Sequence, residues 1–172
     1  MRPNLQRLTI CLLVCAGTSV AHTQTRADPA PTVRLESGIL EGTHFSPAQN
    51  EAAFLGIPYA APPVGELRWT PPQPARKWNE RPRQATQFGA ACPQLPASWF
   101  PDIGWNEDCL YLNVWTPQLS ASAKLPVLVY FHGGSNTQGY SEMTPLGPTL
   151  APRGVVVVSA NYRLGPFGCP RG

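Results

Sequence analysis

Two apolar runs constrain the fold of this 172-residue chain more than any other feature. They occupy residues 125–131 (LPVLVYF) and 155–160 (VVVVSA). Near-continuous apolar runs of this length are typical of strands in a sheet that is covered on both faces. Residues 109–115 (CLYLNVW) also carry large apolar side chains on both faces and predict a third strand. A sheet of this kind requires helices to cover it.

The rest of the chain supplies few helices. Residues 32–41 (TVRLESGILE) form two short alternating runs around Ser-Gly and predict a β-hairpin. A short apolar run at 54–60 leads into the proline-rich residues 62–69 (PPVGELRW), which we expect at the surface or along a sheet edge. Prolines recur through 71–106 and argue against a helix there, and only 143–151 leaves room for a short one. The sequence is therefore expected to form an incomplete domain.

Residues 1–21 have the features of a secretory signal peptide. Arg2 and Arg7 supply a basic start, residues 8–16 are apolar, and a small residue, Ala21, stands at the expected cleavage site. The alternative is a short membrane anchor, but the apolar run is far below the roughly 20 residues that a membrane-spanning helix needs. We predict cleavage near Ala21 and export to the periplasm or the exterior.

Charge excludes some classes of partner. Charged residues make up 13% of the chain and the formal net charge is +3, with two of the cations inside the predicted signal peptide. This balance does not favour nucleic acid or an anionic membrane as a partner. Residues 22–31 (HTQTRADPAP) are polar and contain proline, so we predict a flexible leader there.

Export also determines how the cysteines are interpreted. Removal of the signal peptide leaves Cys92, Cys109 and Cys169. In an oxidising compartment, the first two could close a short loop, which would stabilise the fold by roughly 3 kcal/mol. Two buried free thiols are the alternative, and Cys169 has no partner in either arrangement.

Three stretches together resemble the type-B carboxylesterase family, which includes the cholinesterase-like esterases and lipases. They are FLGIPYAAPPVGELRW (54–69), EDCLYLNVWTP (107–117), and LPVLVYFHGGSN (125–136) followed by VVVVSANYRLGPFG (155–168). The resemblance implies an α/β-hydrolase fold, of which residues 32–168 would form the N-terminal part of the central mixed sheet. The last four residues, 169–172 (CPRG), depart from the family pattern and are interpreted as an aberrant or truncated end.

The resemblance also implies several residue roles. Cys92 and Cys109 match the pair that forms the family's first disulfide. Arg68 and Glu107 match a structural ion pair that would tie the proline-rich edge to the signature strand. Trp99 falls where cholinesterases carry an aromatic residue of the substrate gorge. Two roles stay open for it, an anchor of the loop and a pocket aromatic.

His132-Gly133-Gly134-Ser135 is the stretch that carries chemistry. Hydrolysis of an ester by a serine enzyme needs an activated hydroxyl, a base, and donors aimed at the developing oxyanion. The family pattern assigns the donor role to the backbone N–H groups of Gly134 and Ser135, with His132 and Gly133 as the scaffold of the loop. Many members carry a glycine where this chain has Ser135. Without the flanking motifs, the stretch would indicate only a tight glycine turn after a strand.

None of the three histidines is predicted to be the catalytic base. In this family the base comes late, in the chain order serine, acid, histidine, so His132 is expected to hold the loop by a hydrogen bond. His44 lies in an early loop without an evident partner to orient it, and His22 lies at the signal junction.

The nucleophile is missing from the sequence. The α/β-hydrolase elbow requires G-x-S-x-G, and the stretches around Ser135 and Ser141 both lack its last glycine. The resemblance places the Ser/Glu/His triad beyond residue 172, together with the carboxylate partner of Arg163. The chain would therefore carry the oxyanion loop of an esterase and be inactive alone.

The predicted function is that of a carboxylic-ester hydrolase of the serine type. It would act on a small-molecule carboxylic ester and use neither a cofactor nor a metal ion. Two alternatives stay open: a non-catalytic, cholinesterase-like binding module, and a non-functional truncated product whose uncovered strands prevent stable folding.

Overall fold

The computed structural model describes residues 28–46, 50–95, 104–120 and 122–168. The predicted signal peptide (1–21) and the end of the chain (169–172) lie outside these residues. Ordered structure reaches into the predicted leader, because the carbonyl oxygens of Pro29 and Pro31 accept hydrogen bonds from His44 and Gly42.

A three-stranded sheet forms the first part of the fold. Its strands are β1 (Thr32–Leu35), β2 (Gly38–Glu41) and β5 (Trp78–Gln84), in the order β1-β2-β5. β1 and β2 are antiparallel, which confirms the predicted hairpin. β5 runs parallel to β2 and was missed by the sequence analysis. It contains Pro82, a residue that favours the edge position β5 occupies.

A five-stranded mixed sheet forms the centre of the molecule. Its order is β3-β4-β6-β8-β7, and its strands are β3 (Thr43–His44), β4 (Ala52–Pro58), β6 (Tyr111–Thr116), β7 (Val127–Phe131) and β8 (Val156–Ala160). β6 is antiparallel to both β4 and β8, whereas β7 and β8 are parallel. The three strands predicted from the apolar runs are confirmed as β6, β7 and β8.

Two short α-helices occur among the described residues, α1 (Leu146–Leu150) and α2 (Gly165–Gly168). α1 confirms the short helix predicted within 143–151 and lies on the connection between β7 and β8. Its Gly147 faces the ring of Trp115, where a Cβ atom would collide with the indole. No helix in the described part of the chain is long and apolar enough to cross a membrane.

Buried apolar side chains form three clusters. The first joins the two sheets, and the second surrounds Cys92 and Cys109 near Leu164. The third lies between the central sheet and α1, with Trp115 and Val157 at its centre. The core therefore lies on and around β4, β6 and β8, the inner strands of the larger sheet.

β7 departs from the expectation of burial on both faces. Its side chains at Val127, Val129 and Phe131 are 61%, 54% and 65% exposed. β7 is the last strand of the sheet and pairs only with β8 among the described residues. Within the described part of the chain, β7 therefore forms an open edge, and an open edge is a template for pairing with another chain.

A lysine at the centre of this edge is expected to suppress self-association. A Val129→Lys variant should require about tenfold higher concentration to associate, because a charged side chain on an edge strand opposes pairing with another chain. This change corresponds to about 1.4 kcal/mol of association free energy. Sedimentation velocity over a concentration series measures this. Leu95→Lys is the matched control, because Leu95 is exposed but lies outside the strands. Equal association of both variants and the parent would contradict a role for the β7 edge.

The candidate oxyanion loop

The chain turns sharply directly after β7. Residues 132–139 form a loop in which Gly134, Ser135, Asn136 and Gly139 have positive φ angles of 120°, 54°, 58° and 117°. The left-handed conformation of Ser135 explains why glycine suits this position, since a side chain there costs roughly 1–2 kcal/mol. Ser135 adopts it nonetheless, so the glycine-to-serine departure leaves the turn in place.

The loop closes on the carbonyl oxygen of Gly134. The N–H groups of Thr137 and Gln138 donate to this oxygen at 3.0 and 3.2 Å. In contrast, no hydrogen bond between described residues uses the N–H of Gly134 or Ser135 as donor. Ser135 is exposed and Gly134 is half-buried. Within the part of the chain that the structure describes, the N–H groups of Gly134 and Ser135 are thus available as donors.

His132 lies beneath this loop as part of its scaffold. It is buried, and its Nδ1 lies 2.9 Å from the carbonyl oxygen of Gly133. The ring of Tyr162 stacks on the imidazole at 4.3 Å, and the Tyr162 hydroxyl donates to the His132 carbonyl at 2.6 Å. Burial lowers the pKa of His132, which the hydrogen bond to Gly133 and the charge of Glu142 partly oppose.

This lowered pKa predicts a loss of stability in acid. The unfolded chain binds a proton at His132 more readily than the folded protein does. The contribution of neutral His132 to the free energy of unfolding is full above the ordinary histidine pKa of about 6.5. It is lost as the pH falls towards the lower pKa of His132 in the folded protein. Urea unfolding between pH 5 and pH 8 should show a shallower pH dependence in His132→Asn than in the parent. Identical slopes would contradict this assignment.

A buried polar network supports the loop from the side of the sheet. Asn113 on β6 donates from Nδ2 to the hydroxyls of Ser141 and Ser159 at 3.0 and 3.2 Å, and its Oδ1 accepts from the N–H of Gly56 at 2.9 Å. Ser141 N–H donates to Asn161 Oδ1 at 2.8 Å. This network was not predicted from the sequence, although an asparagine inside the apolar run CLYLNVW is a signal for it. Buried polar groups need such partners.

The Ser141 hydroxyl is not placed for nucleophilic attack. Its hydroxyl donates to Glu142 Oε2 at 2.7 Å and accepts from Asn113, and its side chain is buried. These contacts assign it to the network. They agree with the absence of an elbow motif around it.

The Cys92–Cys109 disulfide is present, as predicted, with an Sγ–Sγ distance of 2.01 Å. Next to it, Arg68 and Glu107 form a two-pronged ion pair with N–O distances of 2.6 and 2.7 Å. The hydrogen bond to Glu107 raises the pKa of Arg68. Both side chains are partly exposed, so the pair is expected to add little stability. It links the proline-rich segment to the residues that precede β6.

Other candidate residues lie apart from the loop or outside the described residues. Trp99 and Cys169 fall outside them. The expectation that His44 lacks an orienting partner was wrong, because its ring nitrogens lie 3.3 and 3.2 Å from the carbonyl oxygens of Glu51 and Pro29. Arg163 donates from Nη1 to the Thr70 carbonyl at 2.9 Å.

The described residues contain no group of three or more His, Cys, Asp and Glu side chains placed to hold a metal ion. The mixed sheet, with a glycine-containing turn directly after β7, has the architecture of an α/β hydrolase.

Comparison with known proteins defines the family within this class. The chain belongs to the carboxylesterase family, which it matches over residues 29–169. It is 41% identical to fumonisin B1 esterase from Sphingopyxis macrogoltabida over 88% of this chain and 28% of that protein. It is 38% identical to acetylcholinesterase from Electrophorus electricus over 87% of this chain and 25% of that protein. Neuroligin-3 from Mus musculus is 34% identical over 93% of this chain.

A solved structure supports the same fold. The solved structure of PNB esterase superposes with a TM-score of 0.67 at 40% identity, over 80% of this chain and 28% of that one. The fold is therefore the N-terminal part of the α/β-hydrolase sheet. The chain spans about a quarter of the length of the curated relatives it matches.

Proposed function

We propose that residues 132–139 form the oxyanion hole of a carboxylic-ester hydrolase of the serine type, with the N–H groups of Gly134 and Ser135 as donors. The observation that carries the proposal is the contrast within the loop. The Gly134 carbonyl accepts two backbone hydrogen bonds and His132 is held against the Gly133 carbonyl, whereas the N–H groups of Gly134 and Ser135 have no acceptor among the described residues.

The arrangement suits the chemistry of ester hydrolysis. Attack on the ester carbonyl converts its oxygen to an oxyanion, and fixed N–H donors stabilise this charge without reorganising. Loss of one such donor typically costs a factor of a hundred to a thousand in rate. Neutral, buried His132 then acts as a scaffold of the loop and takes no proton from the nucleophile.

The proposal assigns no nucleophile, acid or base to these 172 residues. No serine lies in a G-x-S-x-G elbow. The stretches around Ser135 and Ser141 come nearest to this motif, and Ser141 is bound into the polar network. This chain would supply the oxyanion hole and part of the sheet, and it would not hydrolyse esters alone. The ester itself would be a small molecule.

Family membership by itself does not distinguish a catalytic protein from a binding module, because the relatives include both esterases and a neuroligin. The two open donors favour the esterase over a non-catalytic binding module, since a binding module has no need of a hole for an oxyanion.

Export is part of the proposal as well. The buried disulfide and the signal-like residues 1–21 both fit an oxidising compartment.

Two measurements test the proposed function. The purified chain should give no turnover of a p-nitrophenyl ester above buffer, and robust hydrolysis would show that it contains a nucleophile. The coding sequence downstream, read in all three frames, should encode a G-x-S-x-G elbow. The absence of that motif from every frame would overturn the assignment to an esterase.

A further inference from the structure

Gln94 makes a paired contact with the closing residue of the oxyanion loop. Its Oε1 accepts from the N–H of Gly139 at 2.8 Å, and its Nε2 donates to the Gly139 carbonyl at 3.0 Å. A primary amide carries one acceptor and two donors side by side, so it matches the backbone of Gly139 as a neighbouring strand would. Only one orientation of the amide satisfies both bonds.

The position of Gly139 in turn determines the position of the loop. A Cβ atom on Gly139 would collide with His132 Nδ1 and would lie 2.6 Å from the Gly133 carbonyl oxygen. Gly139 therefore packs directly against the two residues that precede the donors. A shift of Gly139 would move His132 and Gly133, and with them the N–H of Gly134.

Gln94 is itself tied to the disulfide. It follows Cys92 by two residues, and its Nε2 also donates to the Cys92 carbonyl at 3.1 Å. Cys92 is bonded to Cys109, which lies two residues before β6 and is fully buried. A continuous path thus leads from the central sheet through the disulfide and the Gln94 amide to the loop.

We propose that Gln94 is a positioning residue for the oxyanion loop, and that the Cys92–Cys109 disulfide holds the loop through it. We call the two hydrogen bonds between the Gln94 amide and Gly139 the clamp. Any effect of the clamp on ester hydrolysis rests on the function proposed above, but the clamp itself can be measured without turnover. The disulfide thereby does more than stabilise the fold. It fixes where the backbone donors lie.

Amide hydrogen exchange at Gly139, followed by NMR on the oxidised chain, tests the clamp. Gln94→Ala removes the acceptor and should accelerate exchange of the Gly139 N–H by roughly three- to tenfold, as expected for one net hydrogen bond. The amide resonances of Gly134 and Ser135 should shift as well. Exchange of core amides on β6 and β8 should stay unchanged. Unaltered exchange at Gly139 would overturn the proposal.

Two further variants define the contact. Gln94→Glu keeps an acceptor and loses the donor when ionised, so its Gly139 amide should stay more protected than in Gln94→Ala. Equal exchange in the two variants would contradict an acceptor role for Gln94 Oε1. Gln73→Ala is the matched control, because Gln73 donates only to the nearby Pro71 carbonyl in an exposed segment. It should leave Gly139 unaffected.

The part played by the disulfide is tested by non-additivity. Cys92→Ala/Cys109→Ala should accelerate Gly139 exchange in the parent background and add little in the Gln94→Ala background. Equal acceleration in both backgrounds would show that the disulfide acts by another route. If the disulfide-free chain does not fold, Pro93→Gly keeps the disulfide and loosens the tether. It should accelerate exchange at Gly139, and no change would again count against the proposal.

The proposal of the clamp and the proposed function can each be overturned without the other. A missing exchange effect overturns the clamp even if the downstream sequence encodes an elbow. A missing elbow overturns the esterase assignment even if Gln94 protects Gly139.

Discussion

Removal of the Cys92–Cys109 disulfide is expected to lower the free energy of unfolding by about 3 kcal/mol. The disulfide spans a sequence separation of 17, and closing a loop of about 15 residues contributes about 3 kcal/mol through the entropy of the unfolded chain. Both sulfurs lie in the cluster with Ala60, Leu110 and Leu164. The double Cys→Ala variant avoids an unpaired thiol, and urea titration of the oxidised proteins measures the difference.

Cys169→Ala serves as the control for this experiment, since it leaves the disulfide intact. Its unfolding midpoint should equal that of the parent. An unchanged midpoint in the double variant would mean that the disulfide adds no stability in this fold, against the loop-closure argument.

A methyl group at Gly134 is expected to destabilise the chain by roughly 2–4 kcal/mol, whereas one at Gly133 should change stability by less than about 0.5 kcal/mol. Gly134 has φ +120°, and its Cβ would collide with the Gln138 carbonyl oxygen. At Gly133 the same atom meets nothing within 4 Å. The two adjacent glycines therefore form a matched pair.

Urea unfolding of Gly134→Ala and Gly133→Ala measures both effects, and the amide resonance of Ser135 reports the state of the loop. We expect this resonance to move in Gly134→Ala and to keep its place in Gly133→Ala. Equal stability of the two variants would show that the loop adapts. The tight closure over the Gly134 carbonyl would then not define the position of the donors.

Local sequence was sufficient to predict the strands that carry the site. The runs that became β6, β7 and β8 are apolar over their whole length, and such patterns depend only on neighbouring residues. The hairpin of β1 and β2 was found for the same reason. β5 was missed because Pro82 argues against a strand, and only its edge position in the three-stranded sheet makes the proline acceptable.

The burial of β7 shows the limit of a local pattern. An apolar run predicts a strand that would be stable when covered, but the pattern does not determine what covers it. Within the described residues, only β8 pairs with β7, and its outer side chains stay exposed.

The sequence by itself determined the strand pattern and the family motifs. Through the family resemblance it also predicted the pairing of Cys92 with Cys109 and the stretch proposed as the oxyanion loop. Only the tertiary structure decided how this loop is held. Gln94 lies 45 residues before Gly139, and Asn113 lies 28 residues before Ser141 and 46 before Ser159. Contacts over such separations depend on how the strands pair and stack, which no local pattern of residues encodes. The proposed donors could therefore be named from the sequence, whereas the proposed Gln94 clamp could not.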